Sequence, residues 1–114
     1  MQFMPSKDYH VLLSMLESID KIVRYTSTHQ SAEELYQNDR DFDATMMNFI
    51  VLGEESGKLS DEIKKTNPQV NWSKVYGLRN IIAYHYFGIN VDIVWQIIHN
   101  DLPMLKNDLN RMIK

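Results

Sequence analysis

The sequence predicts an all-α protein, and two observations carry that prediction. Apolar residues recur at three- and four-residue spacings through most of the 114 residues, which is the period of one helix face. No segment shows the alternation of β-branched and polar residues that is typical of strands. With 44% hydrophobic residues, the chain is long enough for one core, so a single domain over residues 1–114 is expected.

The first predicted helix covers residues 7 to about 26, with Ser6 as its N-cap. Its apolar stripe consists of Leu12, Met15, Leu16, Ile19, Ile22 and Val23. The polar tract "TSTHQ" ends this helix. Ser31 and Glu34 then have the spacing of a capping box, which predicts a short second helix over about 32 to 38.

A long third helix is predicted from the segment "DRDFDA" to about Thr66, just before the dipeptide "NP". Gly53 and Gly57 lie four residues apart inside it. Glycine lowers helix propensity but lets another backbone approach closely. The pair therefore predicts a tight helix crossing.

Two further helices are predicted in the last third of the chain. Asn71 is expected to cap a helix from Trp72 to Phe87 that ends at Gly88. Asn90 is expected to cap the next helix, which Pro103 should kink or split. One face of that last helix is apolar and contains Val91, Val94, Trp95, Ile98, Leu102, Leu105, Leu109 and Met112.

Composition restricts the class of function. The absence of cysteine excludes disulfides and thiolate metal sites. The segment "MQFMPSKDYH" lacks a signal-peptide pattern, and no run approaches the roughly 18 apolar residues of a membrane span, so a cytoplasmic protein without membrane contact is expected. Because the formal net charge is -3, any RNA contact would require a local cluster of cations.

The histidines and methionines favour no cofactor site. No spacing places two histidine or glutamate ligands on one helix face, since the histidines fall on different predicted elements: His10, His29, His85 and His99. No metal and no cofactor are therefore expected. The seven methionines suit core filling, with Met46, Met47 and Met104 as those that could face a partner.

The segment "GLRNIIAYHYFGIN" concentrates side chains with useful chemistry. On a helix that advances about 100° per residue, Arg79 and Tyr86 return to one face, and Asn80 and Tyr84 form an i, i+4 pair beside them. Arginine can clamp phosphate, histidine exchanges protons near neutral pH, and tyrosine offers a hydroxyl acceptor. Two interpretations stay open: a solvated arginine beside core aromatics, or a site for phosphodiester chemistry.

The chain also resembles a known family over nearly its whole length. In order, the segments "SAEELYQNDRDFDA", "LGEESGKLSDEI", "NPQVNWSKVYGLRNIIAYHYFGIN", "VDIVW" and "DLPMLKNDL" are similar to the HepT-like branch of the HEPN proteins. The resemblance implies an up-and-down bundle of four long helices with one additional short helix, paired as a homodimer. It also implies a toxin ribonuclease that is neutralised by a minimal nucleotidyltransferase (MNT) antitoxin.

The family motif is an arginine, four residues, a histidine, any residue and a tyrosine. Arg79 and Tyr86 match its first and last positions, whereas Tyr84 stands at the histidine position and His85 at the unspecified one. The resemblance implies metal-independent RNA cleavage by the ribose 2'-OH, in which His85 moves the proton, Arg79 stabilises the phosphorane and Asn80 orients the phosphate. It implies that the antitoxin transfers AMP to Tyr86.

The shifted histidine leaves two functional classes open, because a shift of one residue turns a helical side chain by about 100°. The first is an active endoribonuclease, since the wider HEPN pattern allows four to six residues between arginine and histidine and this chain has five. The second is a catalytically lapsed HEPN domain that acts as a dimeric binding module for an MNT partner or a nucleotide. Met47 and Ile50 replace the arginine and glutamate usual in the family, which could enlarge an apolar dimer or partner surface.

Overall fold

The computed structural model describes residues 4–85, 88 and 90–114, and the regular secondary structure in this part of the chain is helical. The helices are α1 (Ser6–Thr26), α2 (Ala32–Gln37), α3 (Asp39–Ser56), α4 (Asp61–Lys65), α5 (Trp72–His85), α6 (Val91–Gln96) and α7 (Leu102–Ile113). A π-helical turn, Ile97–Asp101, joins α6 to α7. The predicted all-α class is confirmed.

Helix α3 lies at the centre of the fold. It packs against α1 and against α5, and α1 also contacts α7. The long helical segments bury large apolar side chains in one shared core, among them Leu12, Met15, Ile19, Ile22, Met46, Phe49, Leu52, Leu102 and Leu109. The short helix α2 contacts α3 and α6 beside this core. This packing is consistent with the expected bundle of long helices and an additional short one.

Helix starts follow the capping residues that the sequence predicts, with one exception. The side-chain oxygens of Ser31, Asn71 and Asn90 each accept a hydrogen bond from a backbone N–H of the following turn, at 3.1, 3.1 and 2.9 Å. Ser6, in contrast, is the first residue of α1 rather than its N-cap. The N-cap position belongs to Pro5, which makes no side-chain capping hydrogen bond.

The prediction that the third helix continues to Thr66 is wrong, because α3 ends at Ser56 and α4 is a separate helix. Ser60 caps α4, and it is held by Asp8, whose side chain lies at the start of α1. One carboxylate oxygen of Asp8 accepts from the Ser60 N–H at 2.9 Å, and the other accepts from the Ser60 hydroxyl at 2.7 Å. The break between the two helices is therefore stabilised by a residue far away in the sequence.

The last helix is interrupted close to Pro103, as predicted. Proline has no N–H and cannot continue the α-helical hydrogen-bond ladder at its own position. In the π-helical turn just before it, the N–H of Leu102 bonds to the carbonyl of Ile97, five residues back. The turn thereby holds one more residue than an α-helical turn would.

The methionines divide between core and surface. Met46 is buried, so its predicted position at a partner surface is wrong, whereas Met47 and Met104 are 58% and 67% exposed. Ile50 packs partly buried against the core. Within the described ranges, no helix combines the length and apolar content needed to cross a membrane.

Candidate functional site

Arg79 lies where α5 crosses α3, and a glycine makes this crossing close. A Cβ atom at Gly53 would lie 3.0 Å from both the backbone N and the Cβ of Arg79, and 3.1 Å from the carbonyl oxygen of Tyr76. Contacts this short mean that α5 would have to shift to accommodate a side chain at residue 53. The predicted tight crossing at the glycine pair is confirmed, and it sets the position of the Arg79 backbone.

The second glycine accommodates an aromatic ring. A Cβ atom at Gly57 would lie 2.6 Å from Cε1 and 2.9 Å from Cδ1 of Tyr76. The ring of Tyr76 therefore occupies the space that a side chain at residue 57 would need. Both glycines shape the surroundings of Arg79, one through the helix backbone and the other through this ring.

The guanidinium group of Arg79 is held by two neighbours. Its Nη1 lies 2.8 Å from Oε1 of Glu54 on α3 and donates a hydrogen bond of 2.9 Å to the hydroxyl of Tyr76 on α5. Its Cζ lies 5.2 Å from the centroid of the Tyr76 ring, within cation–π range. The Arg79 side chain is 31% exposed and that of Glu54 is 49% exposed. The cation is thus held in place and still accessible to solvent.

The other predicted site residues divide between described and undescribed parts of the chain. Asn80 is exposed on α5 next to Arg79. The backbones of Tyr84 and His85 belong to the last turn of α5, while their side chains lie outside the described residues. Tyr86 also lies outside the described residues. Arg79 and Asn80 are consecutive residues of α5, so their side chains leave the helix about 100° apart. The roles of Asn80, Tyr84, His85 and Tyr86 stay predictions.

Sequence reasoning missed Glu54 and Tyr76. Tyr76 precedes Arg79 by three residues on one helix, a spacing that brings side chains together and that points to the contact. Glu54 lies on another helix, and its only signal in the sequence is its place next to Gly53, at the predicted crossing. The sequence does not show that α5 packs against α3 at this crossing, and so it does not show that Glu54 meets Arg79.

Comparisons with known proteins agree with the resemblance seen in the sequence. The family model described as ribonuclease HepT-like matches residues 15–112. A candidate RNase of Methanocaldococcus jannaschii is 30% identical over 112 residues, which cover 97% of this chain and 92% of that protein. A second candidate RNase of that organism is 29% identical over 98 residues, covering 86% and 89% of the two chains.

A protein of Thermococcus cleftensis, named as a candidate ribonuclease HepT, is 26% identical over 108 residues, covering 95% of this chain and 96% of that protein. No solved structure matches the chain. The family match includes the α3–α5 crossing and the whole of the segment around Arg79. The chain therefore belongs to the ribonuclease HepT-like family.

Proposed function

We propose that the chain is the toxin of a HEPN/MNT toxin–antitoxin system and cleaves single-stranded RNA as a metal-independent endoribonuclease. The observation that carries the proposal is the Arg79 guanidinium, fixed at a helix crossing and 31% exposed, in a chain of the HepT-like family. The names of its relatives as candidate RNases support the same reaction class. One HepT-like domain over residues 1–114, acting in the cytoplasm, is part of the proposal.

In the proposed reaction, the ribose 2'-oxygen attacks the neighbouring phosphorus. The O2'–P bond forms and the P–O5' bond breaks, which leaves a 2',3'-cyclic phosphate and a 5'-hydroxyl. His85 accepts the 2'-OH proton and returns a proton to the leaving 5'-oxygen. Arg79 stabilises the negative charge that develops on the phosphorane, and Asn80, adjacent on α5, orients the phosphate.

The proposed active form is a homodimer with α5 at or beside the two-fold axis. Because one chain has a formal net charge of -3, a single Arg79 is a weak attractor for a polyanion. Two copies facing each other across an interface would double the local density of cations. The exposed Met47 supports an apolar contribution to that interface or to the partner surface.

The proposal is tested by RNA cleavage in the presence of EDTA. We expect the native chain to cleave, and Arg79→Ala and His85→Ala each to lower the rate at least about a hundredfold, the scale of losing an electrostatic or acid–base group. Arg111→Ala is the matched control, since Arg111 is an exposed arginine at the end of α7 that pairs with Asp108. If the native chain cleaves and His85→Ala leaves the rate unchanged, the histidine mechanism is wrong.

A second candidate function is the catalytically lapsed, dimeric binding module for an MNT partner or nucleotide, and the tyrosine at the family histidine position favours it. It predicts no cleavage above background by the native chain. Tyr84→His restores the family motif and is then expected to produce ribonuclease activity and toxicity in cells. Cleavage by the native chain would contradict this candidate.

We further propose that the MNT antitoxin transfers AMP from ATP to Tyr86. An AMP adduct would add bulk and negative charge where the RNA phosphate has to bind. Incubation with the MNT protein, ATP and Mg²⁺ should raise the mass of the chain by one or more AMP units, and Tyr86→Phe should abolish that increase. Tyr84→Phe is the control; loss of labelling in Tyr84→Phe with retention in Tyr86→Phe would show that the motif register is wrong.

A further inference from the structure

Glu54 is a charged residue in contact with the proposed catalytic arginine. Its Oε1 lies 2.8 Å from Nη1 of Arg79, and the contact joins α3 to α5. The positions of both residues along their helices are fixed by the backbone contact at Gly53, the residue immediately before Glu54. The ion pair is therefore built on two packed helices rather than on loops.

Stability alone does not account for this ion pair. The two side chains are 31% and 49% exposed, and ion pairs so accessible to water contribute little to folding. What the pair does change is the freedom of the arginine, a long side chain that otherwise samples many rotamers. Glu54 and the Tyr76 hydroxyl both hold Nη1, and the two contacts together restrict the orientation of the guanidinium.

The described contacts of the guanidinium engage one of its three nitrogens. Both Glu54 Oε1 and the hydroxyl of Tyr76 lie against Nη1. A guanidinium binds two oxygens of a phosphate through a pair of parallel N–H groups. Nε and Nη2 of Arg79 form such a pair, and neither atom takes part in these two contacts.

We propose that Glu54 is a positioning residue of the site: together with Tyr76 it orients Arg79 so that the Nε–Nη2 edge receives two oxygens of an RNA phosphate. The proposal rests on the ribonuclease function proposed above. Glu54 stays bound to Nη1 while RNA binds, and it touches neither the phosphate nor the 2'-oxygen. Because Glu54 already holds Arg79 in position, the reaction does not have to supply the entropy lost when this side chain is ordered.

Kinetics of Glu54 variants separate positioning from charge. Glu54→Ala should lower kcat about 10- to 100-fold with KM for RNA nearly unchanged, because a misplaced catalytic group affects the transition state more than binding. Glu54→Gln, which keeps the Oε1 acceptor without the charge, should restore most of kcat. Glu17→Ala, which removes a carboxylate paired at 3.3 Å with Lys21 on α1, is the matched control and should leave both constants unchanged.

Three kinetic results would overturn the proposal. Tighter RNA binding with undiminished kcat in both Glu54 variants would mean that the carboxylate screens Arg79 from RNA instead of positioning it. Native constants in Glu54→Ala would mean that the ion pair has no role in the reaction. If Arg79→Ala and the double variant Glu54→Ala/Arg79→Ala are equally impaired, the effect of Glu54 passes through Arg79, as the proposal requires; additive losses would contradict it.

A readout that does not depend on cleavage keeps this inference distinguishable from the proposed function. In 15N NMR of the arginine side chains, hindered rotation of the Arg79 guanidinium should give resolved Nη signals in the native chain and in Glu54→Gln. Glu54→Ala should merge them. If the native chain does not cleave RNA but these signals behave as expected, the ribonuclease proposal fails while the orientation of Arg79 by Glu54 stands. Merged signals in the native chain would refute the positioning role.

Discussion

Asp8 and Arg79 show two different uses of a charged side chain. Asp8 is 1% exposed, and both of its carboxylate oxygens accept hydrogen bonds from Ser60. A buried charge has to be satisfied inside the protein, because water no longer reaches it. Arg79 is held by Glu54 and still exposed. The first charge can therefore only support the fold, while the second can also meet a ligand.

We predict that Asp8→Ala lowers the free energy of unfolding by about 2–4 kcal/mol, since it deletes two charge-assisted hydrogen bonds and leaves the partly buried donors of Ser60 without their acceptor. Urea denaturation measures the change. Asp20→Ala is the matched control, because Asp20 is 59% exposed and pairs with Lys106 at the surface; it should change stability by less than about 0.5 kcal/mol. Equal stability of the two variants would contradict the structural role of Asp8.

Contacts between residues close in sequence were predictable, and contacts between distant ones were not. The capping oxygens of Ser31, Asn71 and Asn90 reach N–H groups within three residues, so residue type and position suffice to predict them. The pairing of Glu54 with Arg79 depends on how two helices cross. No spacing rule contains that information, so the family motif led to the arginine but not to its carboxylate partner.

Among the helices, the α3–α5 crossing connects packing to the candidate site. Gly53 brings the two backbones together at Arg79, and Gly57 makes room for the ring of Tyr76. The glycine spacing predicted a crossing because glycine inside a helix needs a compensating reason. The spacing does not indicate that the helix packed against these glycines is α5.

We predict that Gly53→Ala destabilises the protein by about 1–2 kcal/mol, as a clash costing about 1–3 kcal/mol exceeds the gain of up to about 1 kcal/mol in helix propensity. The close atoms are the backbone N and the Cβ of Arg79 and the carbonyl oxygen of Tyr76, and none of them is the end of a flexible side chain. Gly77→Ala is the matched control: nothing lies within 4 Å of a Cβ there, so it should stabilise α5 by about 0.5–1 kcal/mol. Thermal and urea unfolding measure both changes, and a stabilised Gly53→Ala variant would contradict the close crossing.

The end of α3 shows why a periodic pattern can hide a break. Leu52, Leu59 and Ile63 are all buried, so the apolar spacing continues past Ser56, where the helix ends. Ser60 could have been recognised as a second N-cap before the acidic residues of α4. The bond that fixes Ser60, however, comes from Asp8 at the start of α1, and the spacing pattern carries no sign of it.

At the scale of the whole molecule, the net negative charge and the exposed apolar residues both affect how copies of the chain associate. The large exposed apolar side chains are distributed over several helices and include Tyr9, Leu13, Val23, Met47, Ile93 and Met104. A small helical bundle gains buried apolar area by pairing. Self-association would therefore cover part of this surface.

We predict that sedimentation equilibrium at micromolar concentration gives twice the 13.5 kDa mass of one chain. The physical reason is burial of exposed apolar surface in a symmetric interface, the commonest arrangement of soluble homo-oligomers. Arg79→Ala should leave that mass unchanged, because the proposal assigns Arg79 to RNA rather than to the contact between subunits. A native chain that sediments as a monomer would contradict the dimer and the doubled cation density with it.

The π-helical turn at Ile97–Asp101 has a consequence for changes in chain length. An extra residue in an α-helix would normally rotate everything beyond it by about 100° and carry a core-facing stripe into solvent. A π turn absorbs one residue locally, so Leu105 and Leu109 keep their place in the core on the far side. Deletion of a single residue here would return the turn to the α-helical period without moving the far side of the helix out of the core, a change of length that proteins ordinarily accept only in loops.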